Sequence, residues 1–279
     1  MVLLRLSSFV FRPSSFVKEV FMIRAIDHVV ILVNDLAATV ADYTALGFTV
    51  TPGGEHTGGA THNALVVFAD DTYLELIAFK RPAPEHHWYR NSALGEGLID
   101  FALLPTTIEA DLAAARERGL AIEGPFPGGR LRPDRQQVDW QTGRAPTPDL
   151  PFLCGDVTPR ALRVPEGTAR KHANGVTGIV GLTVAVADLG PSVSRYRALL
   201  GTAEREGLPA PASARAAIFA LGDTTITLAT PADDSDTPLR ARLISRGEGP
   251  FALALRGVNQ STTLDLGLAH GARMELAAK

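Results

Sequence analysis

The chain has 279 residues, of which 46% are hydrophobic and 20% are charged, and its formal net charge is −3. The small, mixed charge argues against a nucleic-acid-binding surface or an anionic-membrane footprint, and the apolar fraction is too high for a disordered protein. A single cysteine, Cys154, excludes a disulfide framework and a thiolate metal cluster. We therefore expect a cytoplasmic protein.

Residues 1–22 are apolar and basic but do not read as a signal peptide or a membrane span. Arg5, Arg12 and Pro13 interrupt the apolar runs, so no hydrophobic region of the usual length exists. We expect this segment to be a disordered or mis-called extension, with folding beginning at residue 23.

The first part of the folded chain shows a β-α-β-β-β order. Residues 26–33 form a β-branched run typical of a buried strand. Asp35 then lies where a helix N-cap belongs, and Gly47 ends the helical spacing. The pattern next predicts a short strand at 48–51, a Gly-rich loop at 53–63, and strands at 64–69 and 73–79.

The same order recurs along the chain. A weaker second copy has a strand at 98–104, a helix at 108–118, and candidate strands at 136–141 and 152–154. Residues 179–201 align with residues 26–47 and begin a third copy, with strands at 216–221 and 225–229. A fourth, incomplete copy has a strand at 251–255 and a helix-like segment at 261–269.

These repeats predict an α+β protein built from paired modules. One β-α-β-β-β unit leaves an apolar sheet face and is not stable alone. Two units side by side make a curved sheet with helices outside and a ligand cavity on its concave face. We predict a first domain at 23–172 that holds the principal cavity, and a second, shortened domain at 173–279.

The segments IDHVVILVNDL at 26–36 and NALVVFADDTYLELIAF at 63–79, together with the repeat, resemble the vicinal oxygen chelate superfamily, and more narrowly the glyoxalase-like domain proteins. The resemblance covers about residues 25–200. It implies curved sheets of tandem βαβββ modules, paired either within one chain or across a homodimer. Superfamily members include lyases, isomerases, ring-cleaving dioxygenases, thiol transferases and non-catalytic drug binders, so the fold alone does not give the reaction.

The resemblance also implies a metal site. The superfamily holds a divalent metal with residues on the first and last strands of each module, positions that His28 and Glu75 occupy in the first module and Asp100 in the second. The fourth position falls near Gly155, which has no side chain. Fe, Mn, Zn, Ni or Mg held there would leave positions for two neighbouring substrate oxygens.

Each of these ligand assignments has a structural alternative. His28 is otherwise a buried histidine bound to a backbone carbonyl. A carboxylate on an apolar strand, such as Glu75, needs a cation, a metal or several donors.

Two histidines of the Gly-rich loop are candidates for proton transfer or substrate contact. Imidazole titrates near neutrality, so we assign His56 as the candidate proton shuttle and His62 as a substrate contact. The alternative is ordinary loop polarity.

Aromatic and arginine residues are further candidates for binding substrate. Trp88 and Trp140 would form apolar walls of the cavity. Arg132 or Arg135 would bind an anionic group of the substrate through a bidentate contact. The alternative for the arginines is a surface network with Asp134.

Two functional hypotheses remain open. The first is a metal-dependent lyase, isomerase or dioxygenase that acts on a small, oxygen-rich organic molecule. The second is a metal-free protein that sequesters a small hydrophobic molecule or drug. The missing fourth ligand favours the second, as do Gly181 and Thr227 at the matching positions of the third module.

Overall fold

The computed structural model describes residue 23 and residues 25–205, 213–235, 237–258 and 261–278. The extension predicted at 1–22 lies outside the described residues. The strands are β1 (Ala25–Leu32), β2 (Thr51–His56), β3 (Thr61–Val67), β4 (Tyr73–Phe79), β5 (Gly97–Leu104), β6 (Glu123–Leu131), β7 (Gln137–Arg144), β8 (Phe152–Asp156), β9 (Gly178–Ala185), β10 (Ala214–Leu221), β11 (Thr224–Pro231), β12 (Gly249–Val258), β13 (Thr262–Thr263) and β14 (Met274–Ala278). The α-helices are α1 (Leu36–Ala45), α2 (Ile108–Glu117), α3 (Arg160–Arg163), α4 (Leu189–Leu200) and α5 (Pro238–Arg246), with 3₁₀ turns at Tyr89–Leu94 and Gly167–Arg170.

Strands β1 to β8 form a closed barrel in the order β1-β4-β3-β2-β6-β7-β8-β5. β1 runs parallel to β4 and antiparallel to β5. The two modules join on the far side of the barrel through β2 and β6, which share only two residue pairs. The predicted α+β class and the pairing of modules are confirmed.

Strands β9 to β14 form a second, six-stranded sheet in the order β10-β11-β9-β12-β14-β13. One hydrophobic cluster includes residues of both sheets, such as Val29 and Phe101 in the barrel and Leu182 and Leu253 in the second sheet. The predicted boundary between residues 172 and 173 falls between β8 and β9. Within the described ranges, no helix is long and apolar enough to cross a membrane.

An N-cap begins α1, and a buried tyrosine anchors both α1 and α4, the first helix of each half. The Asp35 carboxylate accepts hydrogen bonds from the backbone N–H groups of Ala37 and Ala38 at the start of α1, as an N-cap does. The fully buried Tyr43 of this helix donates its hydroxyl to the Ala269 carbonyl at 3.2 Å. Tyr196 of α4, equally buried, donates to the Asp149 carbonyl at 2.7 Å.

The Gly-rich segment differs from its prediction. The strand predicted at 48–51 instead begins at Thr51 and continues to His56, so that the loop is reduced to residues 57–60. Gly54 explains the difference, because a Cβ there would lie 2.2 Å from the Leu131 carbonyl oxygen of β6. Its φ of 138° is also one that side chains disfavour. The glycine therefore permits close pairing of two strands.

Two other segments also depart from the sequence pattern. Residues 123–131, for which the sequence analysis predicted no strand, form β6. Residues 261–269, predicted to be helix-like, contain the two-residue strand β13 followed by turns. The chain then continues into β14, a strand that the sequence analysis did not predict.

Candidate functional site

The interior of the barrel contains a cavity of about 240 Å³. Its polar lining includes two histidines, a glutamate and an arginine from four different strands: His28 (β1), His56 (β2), Glu75 (β4) and Arg130 (β6). Aromatic side chains form much of the remaining wall, namely Tyr73, Trp88, Trp140 and Phe152. This mixture of apolar walls and few polar groups is typical of a small-molecule site.

The carboxylate of Glu75 is the meeting point of the polar side chains. It is only 5% exposed, and its two oxygens lie 3.5 Å from Nε2 of His28 and 3.3 Å from Nε2 of His56. Asn63 Nδ2 also donates to Glu75 Oε1 at 2.6 Å. Burial acts to raise the pKa of Glu75, but the hydrogen bonds and charges of the two imidazoles hold it well below its ordinary value.

His28 is held between two carboxylates. Its Nδ1 lies 2.7 Å from Oδ2 of Asp27, while its Nε2 faces Glu75. Burial acts to lower the pKa of His28, but the two carboxylates raise it above its ordinary value. The ring also stacks on Tyr73 with 4.5 Å between centroids, so its orientation is fixed on both edges and on one face.

Two arginines form ion pairs with Asp27. Arg163 Nη1 donates to Asp27 Oδ2 at 2.6 Å, and Arg160 Nη1 donates to Asp27 Oδ1 at 2.7 Å. Both arginines also pair with Asp156. Burial acts to raise the pKa of Asp27, yet Arg163 and His28 keep it well below its ordinary value.

His56 lies on a strand and not on the flexible loop that the sequence predicted. Its Nδ1 is 2.8 Å from the Thr61 hydroxyl, and its ring packs edge-on against Trp140. The imidazole is half-buried, and its Nε2 faces Glu75. The strand pairing therefore gives His56 a defined position at the cavity, beside Glu75.

The structure does not bring Asp100 together with His28 and Glu75. Asp100 pairs with Val30 on β1, two residues beyond His28, which is roughly 6.6 Å along the strand. Its oxygens accept hydrogen bonds from the Trp88 indole and from its neighbour's backbone N–H, both at 2.8 Å. Burial raises its pKa to about 6. The side chain lines a neighbouring cavity.

Trp88 and Trp140 line the main cavity as the sequence analysis expected, but the other predicted substrate contacts do not. Arg132 pairs with Asp134 and donates to the Leu162 carbonyl. Arg135 is exposed on a turn with a φ of 65°, and His62 lines an outer groove beside α1.

The arginine that does reach the cavity is Arg130, which the sequence analysis missed. It pairs directly with His56 across β2 and β6 and is 2% exposed. The sequence did not reveal this role of Arg130, because Gly128 and Gly129 precede it and glycine-rich segments are typical of loops. Once β6 is paired with β2, the strand alternation places Gly128 and Arg130 on the same face.

The donor atoms at Glu75 fit a metal ion only in part. Ligand atoms bound to one metal at 2.0–2.2 Å lie roughly 3 to 3.5 Å apart, and the His28–Glu75 and His56–Glu75 pairs have this spacing. In the part of the chain that the structure describes, no group of three or more His, Cys, Asp or Glu side chains could hold a metal ion. The protein would therefore supply two donors, and other ligands would complete the coordination.

Comparisons with solved structures show the same fold in other proteins. A hypothetical protein from Staphylococcus aureus has a TM-score of 0.69 and 13% identity, over 91% of this chain and 99% of that one. A triple mutant of 4-hydroxymandelate synthase from Streptomyces coelicolor has a TM-score of 0.61 and 15% identity, over 84% and 71% of the two chains. A fusion protein of a xylose isomerase-like TIM barrel and 4-hydroxyphenylpyruvate dioxygenase has a TM-score of 0.55 and 19% identity, over 85% and 36%.

The sequence itself matches a known family over much of its length. No curated protein matches the chain, but residues 26–200 match the glyoxalase-like domain. This range includes the whole barrel and the first strand and helix of the second sheet. The chain thus belongs to the glyoxalase-like domain family, within the vicinal oxygen chelate superfamily.

Proposed function

We propose that this protein is a divalent-metal-dependent lyase, isomerase or dioxygenase that acts on a small, oxygen-rich organic molecule in the barrel cavity. The observation that carries the proposal is the buried Glu75 carboxylate facing His28, whose other ring nitrogen is bound to Asp27. Histidines that bind metals commonly donate their second N–H to a carboxylate in this way.

His28 and Glu75 are the residues that would hold the ion. A divalent metal bound there would act as a Lewis acid toward the oxygens of the substrate. Asp27 keeps the His28 ring in one orientation, with Nε2 directed at Glu75. Two protein donors leave room for two neighbouring oxygens of a bound molecule.

His56 is the residue that moves a proton. Thr61 fixes its Nδ1 at 2.8 Å, which leaves Nε2 as the nitrogen at the cavity. Imidazole gains and loses a proton near neutral pH and is suited to general acid–base work. Trp88 and Trp140 line the same cavity and limit the water around it.

The test is metal content and metal-dependent stability. Protein purified without chelators should contain a divalent metal, and the Tm should rise on adding the ion that it prefers among Mn, Fe, Zn, Ni and Mg, because a ligand that binds only the folded state stabilises it. His28→Ala and Glu75→Gln should abolish both effects. His62→Ala is the matched control, since this histidine lies in an outer groove.

Two results would contradict the proposal. One is a protein free of transition metal whose Tm does not change with any of the ions. The other is a His28→Ala variant that keeps full metal affinity.

A second candidate is a metal-free binding protein for a small, mainly apolar molecule. Glu75 favours it, because Asn63 and the two imidazoles already serve its oxygens without any ion. This function predicts that EDTA-treated protein keeps its full affinity for an aromatic ligand. It also predicts that such a ligand is released unchanged after prolonged incubation.

A further inference from the structure

The cavity contains a buried cation that has no anionic partner among the described residues. The side chain of Arg130 is 2% exposed, and its Nη2 donates to the Arg163 carbonyl at 2.7 Å. Its Nε is buried without any hydrogen-bond partner in the described part of the chain. A buried guanidinium normally has a carboxylate or several acceptors, because desolvation of an unpaired charge is costly.

Neighbouring carboxylates do not supply this partner. Asp27 and Asp156 form ion pairs with Arg160 and Arg163, so the charges of these two carboxylates are already balanced by two cations. No carboxylate oxygen of the described residues lies within ion-pair distance of Arg130.

The remaining carboxylate of the cavity, Glu75, is also committed. It meets the imidazoles of His28 and His56 and accepts a hydrogen bond from Asn63. Arg130 is therefore the one arginine of the cavity wall that is both buried and without an acidic partner among the described residues. An anion that enters the cavity would complete its environment.

The position of Arg130 says where such an anion lies. Arg130 is paired with His56 across the β2–β6 ladder, and both side chains line the cavity. An acidic group bound to the guanidinium thus lies at the end of the cavity where His56 and Glu75 meet. The aromatic wall formed by Trp88, Trp140 and Phe152 is left for an apolar part of the same molecule.

We propose that Arg130 selects the substrate by binding its carboxylate, and that this protein acts on a small organic carboxylate with an apolar or aromatic body. The planar guanidinium is suited to this role because it pairs with carboxylates in a fixed, forked geometry. The inference rests on the proposed function for its cavity but not on the metal. It replaces Arg132 and Arg135, the sequence-based candidates, which lie outside the cavity.

The experiment compares two ligands of the same shape and different charge. Benzoate and benzamide are titrated by calorimetry into full-length, EDTA-treated protein in chloride-free buffer. The wild-type protein should bind benzoate at least tenfold more tightly than benzamide. Arg130→Gln should remove this preference by weakening benzoate alone, while Arg130→Lys should keep part of it. Arg132→Gln is the control and should leave both affinities unchanged.

Several outcomes would overturn the inference. These are equal affinity of the wild-type protein for the two ligands, no benzoate binding, and an Arg130→Gln variant that folds and keeps the wild-type preference. If Arg130→Gln does not fold, the wild-type comparison and Arg130→Lys still decide. Because the protein is stripped of metal, a failure of the proposed metal function leaves this result untouched, and the reverse also holds.

Discussion

Replacing Asp27 by asparagine tests most directly how much the contacts of Asp27 contribute to protein stability and to the site. The carboxylate is fully buried and accepts hydrogen bonds from Arg163 at 2.6 and 3.1 Å and from Arg160 at 2.7 Å. It also faces His28 Nδ1 at 2.7 Å. Asp27→Asn keeps the shape of the side chain but removes its charge and replaces one of its two acceptor oxygens with an N–H donor, so the change breaks these contacts without opening a cavity.

The expected loss of stability follows from what Arg163 retains. Removing one partner of a buried ion pair costs about 3–5 kcal/mol, because the other charge stays buried. Arg163 still has Asp156 at 2.5 Å, so we expect the lower value, about 3 kcal/mol. For a chain of this size that corresponds to a fall in Tm of about 6–12 °C.

The assay is urea unfolding followed by circular dichroism, together with a thermal melt. Glu85→Gln is the control, because its pair with Arg81 is largely exposed and its loss should leave the Tm unchanged. Metal affinity should also fall about 10–100-fold in Asp27→Asn, since His28 loses the group that orients it. A stability of Asp27→Asn within about 0.5 kcal/mol of the wild-type protein, the ordinary scatter of surface changes, would refute this reasoning.

Two further predictions concern the cavity walls. Because burial raises the pKa of Asp100 to about 6 from its ordinary 3.8, the stability that this group contributes is present below about pH 3.8 and is lost as the pH rises through about 6. The fluorescence of Trp88, whose indole donates to Asp100, should change with a midpoint near pH 6, and Trp88→Phe should remove that transition; a pH-independent wild-type signal would contradict it. A Cβ on Gly128 would lie 2.3 Å from the Trp140 indole nitrogen, so Gly128→Ala should displace this ring, shift its emission and weaken ligand binding. Gly190→Ala, where the nearest atom is 3.7 Å from the added carbon, should do neither.

The parts of the site that could be predicted from the sequence lie on strands with a strong local pattern. The β-branched run at 26–33 and the alternating run at 73–79 match β1 and β4 closely. His28 and Glu75 lie within these runs, and parallel pairing of the two strands brings them into one cavity. Here local sequence and tertiary structure agree, because both strands are buried.

His56 and Arg130 could not be placed in the same way. Arg130 directly follows Gly128 and Gly129, and His56 follows Gly53 and Gly54 after one intervening residue. Glycine occurs both in loops and at close approaches between strands, so these pairs do not identify a strand. The pairing of β2 with β6 places both residues at the cavity. The two strands are about 75 residues apart in sequence, so no local pattern predicts their contact.

Asp100 shows a different limit. Its position in the second module does correspond to that of His28 in the first. The antiparallel pairing of β1 with β5, however, sets His28 opposite Ala102 and sets Asp100 opposite Val30. Equivalent positions in a repeat are thus displaced along the barrel, and the Trp88 indole then holds Asp100 in the neighbouring cavity.

The short β2–β6 ladder affects how solvent reaches the cavity. Its two residue pairs are Glu55 with Leu131 and His56 with Arg130, and the first pair is exposed at the surface. Ladders with few bonds and solvent-exposed edges open locally at low free-energy cost. His56, the proposed proton shuttle, and Arg130, which we propose binds the substrate carboxylate, therefore lie on one of the two shortest ladders of the barrel wall. A bound anion that contacts both strands would stabilise their pairing, so that ligand binding in the cavity would reduce local opening of the barrel.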